Sequence, residues 1–136
     1  MTTAILTPDD KRVDRITAMF GNIPFDNAIF NVADDIADNY NGGFWNYFED
    51  NEGQFLYMAP ADGHFSLSIE GNGFTGIVDA DTFGIITSLI GISHLMMYLF
   101  ETDRHHNNEH LNDLFFRLRD LAINHENSAK IMQAID

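Results

Sequence analysis

The sequence predicts an α+β fold in one domain, with helices at the amino end, a four-stranded antiparallel meander in the middle and a helical layer at the carboxyl end. Apolar residues recur at three- and four-residue steps before residue 40 and again after residue 79. Between those limits the runs are short, aromatic or β-branched, and separated by turn residues. At 136 residues, without an internal repeat or Pro/Ser-rich linker, the chain has material for one core, and residues 1–136 are expected to form a single domain.

The first helix is expected to start at Thr7-Pro8-Asp9-Asp10. Thr7 is placed as N-cap, Pro8 at the first position, and the two acids beside the positive end of the helix. It should end near Phe20 and Gly21, although residues 12–20 also admit an extended conformation. A second helix is predicted over residues 25–39. Phe25, Ile29, Val32, Ala33 and Ile36 share one face, and Asp34, Asp35 and Asp38 lie elsewhere on its surface.

Four strands follow, over residues 44–49, 54–59, 65–70 and 74–78. Asp50-Asn51-Glu52-Gly53, Pro60-Ala61-Asp62-Gly63 and Gly71-Asn72-Gly73 supply three tight turns. Phe65, Leu67 and Ile69 alternate with Ser66, Ser68 and Glu70, so that one face of the third strand is wet.

A long apolar helix is then capped by Asp79 or Asp81, with Phe83, Ile86, Leu89, Ile90, Met97 and Phe100 as its body. Gly84, Ser88 and Gly91 form a small-residue stripe that permits close approach to the sheet or to another helix. Residues 82–100 carry no charged side chain over 19 positions, near the length of a bilayer span. The embedded Thr87, Ser88, Ser93 and His94, and the acids crowding both ends, favour a buried core helix. After a loop over 103–108, Leu111, Leu114, Phe115, Leu118 and Leu121 mark an amphipathic helix. Ser128 is placed as cap of a last short helix through Ile131 and Ile135.

Charge narrows the function classes. Lys and Arg total 7 against 21 Asp and Glu, a net charge of −14. No Lys or Arg occurs between Ile16 and Asp103, where 13 of the acids lie. Such a field repels phosphates and anionic lipid, so direct nucleic-acid and membrane binding are not expected, and a basic protein partner is. With no Cys there is no disulfide, thiolate nucleophile or Cys-based zinc site, and a cytoplasmic location is expected. Residues 1–10 lack the features of a secretory signal.

Candidate chemistry is sparse. His106 and His110, with Asp103 and Glu109 near them, have the spacing of a surface metal site, but the stretch also reads as a polar loop between helices and specifies no third ligand. His94 is expected as a hydrogen-bonded core residue. Asp34-Asp35 and Glu49-Asp50 are expected on solvated faces. No nucleophile elbow, phosphate loop or dinucleotide glycine pattern occurs, so no catalytic residue, cofactor or resident metal is expected.

One stretch carries more than pattern. Tyr40-Asn41-Gly42-Gly43-Phe44-Trp45, then Asn51, Gly53, Phe55 and Tyr57-Met58-Ala59-Pro60, resembles the motifs of the ArdB/KlcA-type antirestriction proteins. Asn72-Gly73-Phe74, Gly76, Asp79-Ala80-Asp81 and Gly84-Ile85 resemble that family's strand-to-helix junction. Leu118-Arg119-Asp120, His125 and Ala134-Ile135-Asp136 resemble its end. The likeness runs over residues 24–136. Asn39 departs from it where an Asp commonly stands, as do Glu52 in the turn and Phe83 at a small position. The resemblance implies a non-catalytic inhibitor of type I restriction–modification enzymes, carried by mobile elements and acting on the enzyme. Asp34, Asp35, Asp38, Glu49, Asp50 and Glu52, with Arg119, Asp120 and Asp136, are the candidate partner-binding residues, the acids either imitating DNA charge or serving a surface unrelated to DNA. The alternatives are a small metal- or ligand-binding domain using residues 105–110, and an immunity or regulatory module for another protein.

Because phosphate contacts dominate DNA affinity, purified protein is predicted not to shift duplex DNA at physiological salt. A salt-sensitive gel shift at micromolar protein contradicts this.

Overall fold

A computed structural model describes residues 2–21, 23, 25–102 and 108–136. The order is β1 (Ile5–Leu6), a 3-10 turn (Asp9–Lys11), α1 (Arg12–Phe20), α2 (Phe25–Ile36), β2 (Trp45–Glu49), β3 (Phe55–Pro60), β4 (His64–Ile69), β5 (Phe74–Asp79), α3 (Ala80–Glu101), α4 (Asn108–Ile123) and α5 (Ser128–Ile135). The α+β class stands as predicted. Its four central strands are joined by a fifth, the short β1, which pairs Ile5 with Glu49 and Leu6 with Phe48.

The meander is divided. One sheet runs β1-β2-β3 and a second consists of β4 and β5 alone. The turn after Pro60 therefore joins two sheets and does not close a hairpin. The free edge of β3 is taken by α3. Ser88 Oγ lies 3.3 Å from both the N–H and the C=O of Met58, accepting from one and donating to the other, where a fourth strand would otherwise pair. The small-residue stripe makes this possible. A Cβ at Gly84 would collide with Ala59 and the Met58 carbonyl, and one at Gly91 would come within 2.7 Å of Ile29 Cδ1. One stripe thus seats α3 on β3 with Gly84 and Ser88, and on α2 with Gly91.

The other edge of β4 is also occupied. Asp38 N–H donates to Ser66 C=O, Asn39 Nδ2 donates to His64 C=O and Asn39 Oδ1 accepts from Ser66 N–H. An Asp at position 39 offers no donor to His64, so the departure at this position is used by the fold. Phe83, also a departure, is fully buried, stacks on Phe65 at 4.3 Å and meets Trp45 at 6.1 Å, joining the second sheet to the first.

The amino end differs from expectation. Thr7 is buried but its hydroxyl caps nothing, because its backbone N–H is drawn to Tyr47 C=O by the β1–β2 pairing. Pro8 precedes the 3-10 turn, and α1 starts at Arg12 in the helical conformation. At the carboxyl end Asn127 takes the N-cap position of α5 without a side-chain capping bond, so Ser128 is the first helical residue. Asp79 caps α3 by accepting from Thr82 N–H at 2.9 Å.

The 22 residues of α3 reach about 33 Å at 1.5 Å per residue, whereas the six of β3 reach about 20 Å. The helix outruns its support. Its first half is buried, but Met97 and Phe100, expected in the core, are each 64% exposed, and His94 is exposed as well. α3 is long and apolar enough to cross a membrane, yet 61% of its most apolar window is buried within the protein.

Gly84→Ala discriminates seam from propensity. On helix propensity alone Ala would gain up to about 1 kcal/mol. The collision with β3 is expected to reverse the sign, for a loss of about 1–3 kcal/mol by denaturant unfolding.

Candidate functional site

The nine residues singled out above do not gather at one place. Asp34, Asp35 and Asp38 are exposed on and just beyond α2, and no hydrogen bond or ion pair holds their side chains among the described residues. Glu52 is exposed at the β2–β3 turn. Arg119, Asp120 and Asp136 are exposed at the carboxyl end, where Asp120 accepts from the Thr2 N–H at 3.0 Å. The backbone and side chain of Thr2 hold its carboxyl below the usual range.

Glu49 and Asp50 are not on a solvated face. Glu49 is 8% exposed and receives Arg15 Nε at 3.2 Å. Asp50 Oδ2 receives Arg117 Nη1 at 3.0 Å, and Oδ1 accepts from the N–H groups of Glu52 and Gln54, fixing the hairpin turn. Two of the protein's few cations are thus drawn inward. α1 and α4 meet at this hairpin because their arginines have carboxylates there to neutralise.

Sequence reasoning missed a polar network that spans three elements. Tyr57 Oη donates to Asp81 Oδ1 at 2.6 Å, and His125 Nε2 stands 2.8 Å from Asp81 Oδ2. The Asn127 N–H donates to His125 Nδ1 at 3.0 Å, which assigns the ring proton to Nε2 and makes that nitrogen the donor to Asp81. Asn127 Nδ2 closes the circuit by donating to Thr82 Oγ1. Tyr57, Asp81 and His125 each belong to a stretch that carries the family resemblance, but nothing in their spacing of 24 and 44 residues announced a meeting. The network joins β3, the first turn of α3 and the α4–α5 connection.

Its chemistry is cohesive. Burial, then the hydrogen bond to Asp81 and nearby carboxylate charge, push the Tyr57 phenol well above its ordinary value. Burial works against ionised Asp79, but hydrogen bonds from Thr82, with His125 and His64, hold its carboxyl below the usual range. Both oxygens of Asp81 are engaged, one by the Tyr57 hydroxyl and one by the His125 ring. No cluster of three or more metal-ligating side chains occurs among the described residues. Residues 103–107 of the expected histidine site lie outside the described residues, and His110 is exposed.

Other motif residues are likewise engaged within the fold. Trp45 Nε1 donates to Tyr40 Oη at 3.2 Å, and Asn72 Nδ2 donates to Ala134 C=O at 2.7 Å, tying the β4–β5 turn to α5. Gly42 and Gly43 both have positive φ, 95° and 115°, which turns the chain into β2 at little steric cost.

Two predictions follow from these pairings. A phenol whose pKa is raised by folding contributes stability below its unfolded value of 10.0, lost as pH climbs toward the folded value. Tyr57 should therefore ionise only with alkaline unfolding in an absorbance titration, and Tyr57→Phe should lower stability by about 1 kcal/mol and flatten that alkaline loss. The six acids of α2 and the first hairpin should also divide. Neutralising Asp34, Asp35, Asp38 and Glu52 is expected to change stability by no more than about 0.5 kcal/mol each. Glu49→Gln with Asp50→Asn is expected to lose more than about 1 kcal/mol, both sets read by denaturant melting.

Comparison with known proteins places the whole arrangement. A family model for antirestriction proteins matches residues 38–136. An antirestriction protein KlcA of Escherichia coli is 37% identical over 98 residues, covering 71% of this chain and 64% of that relative. A second Escherichia coli KlcA is 30% identical over 138 residues, covering 98% of this chain and 94% of the relative. A solved structure of the KlcA and ArdB proteins superimposes with a TM-score of 0.85 at 31% identity, over 99% of this chain and 95% of that one. The KlcA and ArdB proteins show a novel fold, and antirestriction activity against type I DNA restriction systems in vivo but not in vitro. The motif residues, their partners in the fold and the agreement along the full chain lead to one conclusion: this chain belongs to the ArdB/KlcA family of antirestriction proteins.

Proposed function

We propose that this protein lets incoming mobile-element DNA escape type I restriction, acting in the cytoplasm as a non-catalytic inhibitor through a protein partner of the restriction–modification system. The observation that carries this is the full-length agreement with the KlcA and ArdB structure. The described surface between Ile16 and Thr102 presents carboxylates without any Lys or Arg, which suits a basic protein surface and disfavours DNA or membrane. Residues 1–136 act as one unit in this proposal, since the buried apolar side chains of β3, α2, α3, α4 and α5 belong to one cluster.

Activity of KlcA and ArdB in vivo but not in vitro favours a partner or state supplied by the cell. A protein that imitated DNA charge alone would compete with DNA in a purified reaction. Recognition of a protein surface is therefore preferred here to imitation of DNA.

The test is phage plating on a host with a type I system, with and without this protein. Unmodified phage should plate more efficiently when it is present, and equally on a host lacking the system. Unchanged plating across several type I systems, with folded protein in the cells, contradicts the proposal.

A further inference from the structure

Carboxylates with no partner inside the fold border one groove. It lies between α2 and α3, has a volume of about 800 Å³, and is closed at one end by the β4–β5 turn. On α2 its lining falls at Ala28, Asn31, Val32, Asp35 and Ile36, steps of three, one, three and one along a single face. On α3 it falls at Ile90, His94, Leu95 and Tyr98. The helices meet closely where Gly91 packs against Ile29, and Ala28, Val32, Ile36, Ile69, Ile90 and Leu95 make most of the groove's lining apolar. From residue 28 to residue 36 the α2 wall rises about 12 Å, a little over two turns of helix.

Charge identifies the occupant. Asp35 on one wall and Glu70 at the closed end are exposed, and among the described residues neither side chain has a hydrogen bond or ion pair. Glu49 and Asp50, by contrast, are neutralised within the fold by Arg15 and Arg117. No Lys or Arg lies among the lining residues. An apolar trough between two helices, with unpaired negative charge at its rim, complements an amphipathic helix whose apolar face is bordered by Lys or Arg.

We infer that the α2–α3 groove is the docking site for a basic amphipathic helix of the protein partner. The inference rests on the proposed inhibitory function and names the surface that performs it. Apolar side chains of the incoming helix pack on the half-buried Ala28, Ile69 and Ile90, and its cations meet Asp35 and Glu70.

Two experiments test it on the intact chain. The first is an NMR titration with a synthetic Leu/Lys amphipathic helix, against a Leu/Glu helix of the same pattern. The Lys peptide should shift Val32, Asp35, Glu70, Ile90 and His94, and the Glu peptide should not. Asp35→Lys with Glu70→Lys should weaken Lys-peptide binding roughly tenfold. Asp10→Lys with Asp62→Lys, an equal change of net charge at exposed sites away from the groove, should weaken it far less. Equal weakening by the two pairs, or shifts centred on Met97 and Phe116, overturns the inference. The second is plating in a host where the wild type protects. The Asp35/Glu70 variant should lose protection while keeping its melting temperature, and the Asp10/Asp62 variant should retain both. Full protection by the first variant overturns the groove as the docking site. If the wild type itself fails to protect, the proposed function falls, and the peptide map still decides whether the groove takes a basic helix.

Discussion

Everything else in this fold depends on how closely α3 is allowed to approach β3. At Gly84 the helix backbone rests against Ala59 and the Met58 carbonyl, with no room for a side chain. One turn on, Ser88 substitutes its hydroxyl for a missing strand at Met58. A buried strand edge without hydrogen bonds would be costly, and Ser88 satisfies it with one atom. That contact explains the split sheet, because β4 cannot occupy an edge α3 has taken. It also sets the start of α3, where Asp79 caps the helix and Asp81 turns back to Tyr57 and His125. At the far end it leaves Met97 and Phe100 beyond the last supporting strand.

The same arrangement sorts the charge. Arg15 and Arg117 are spent on Glu49 and Asp50, where they fasten α1 and α4 to the first hairpin. Lys130 reaches the Ile77 carbonyl, and Arg12 lies over the rings of Phe44 and Tyr47. With most cations so engaged, the carboxylates of α2 and the β4–β5 turn keep their full negative field. Carboxylates held by the fold and free carboxylates are thus different groups, and only the free ones are available to a partner.

Much of this was legible in the sequence, and what was not has identifiable causes. Helix and strand positions followed from local periodicity, and the Gly84, Ser88, Gly91 stripe announced a close approach. The stripe did not say which neighbour would fill it, so a continuous meander was expected where α3 interrupts it. Long-range pairing was invisible too. Glu49 looked like a turn-flanking surface acid until Arg15, 34 positions away, was brought beside it. Tyr57, Asp81 and His125 were recognisable as motif residues, but a motif records which residues recur and not which of them touch. The expected core placement of His94 failed because hydropathy reports how apolar a helix is and not where its support ends.

The central claim is that the α3–β3 seam is the last part of the protein to open. Native-state hydrogen exchange of the Met58 amide measures it directly. If the seam holds the fold, this amide exchanges only through global unfolding, with a free energy equal to that from denaturant melts, while amides at the exposed end of α3 exchange at much lower cost. Exchange of Met58 well below the global value, with β2 and β3 still protected, would show that the helix leaves the sheet on its own and would contradict the account.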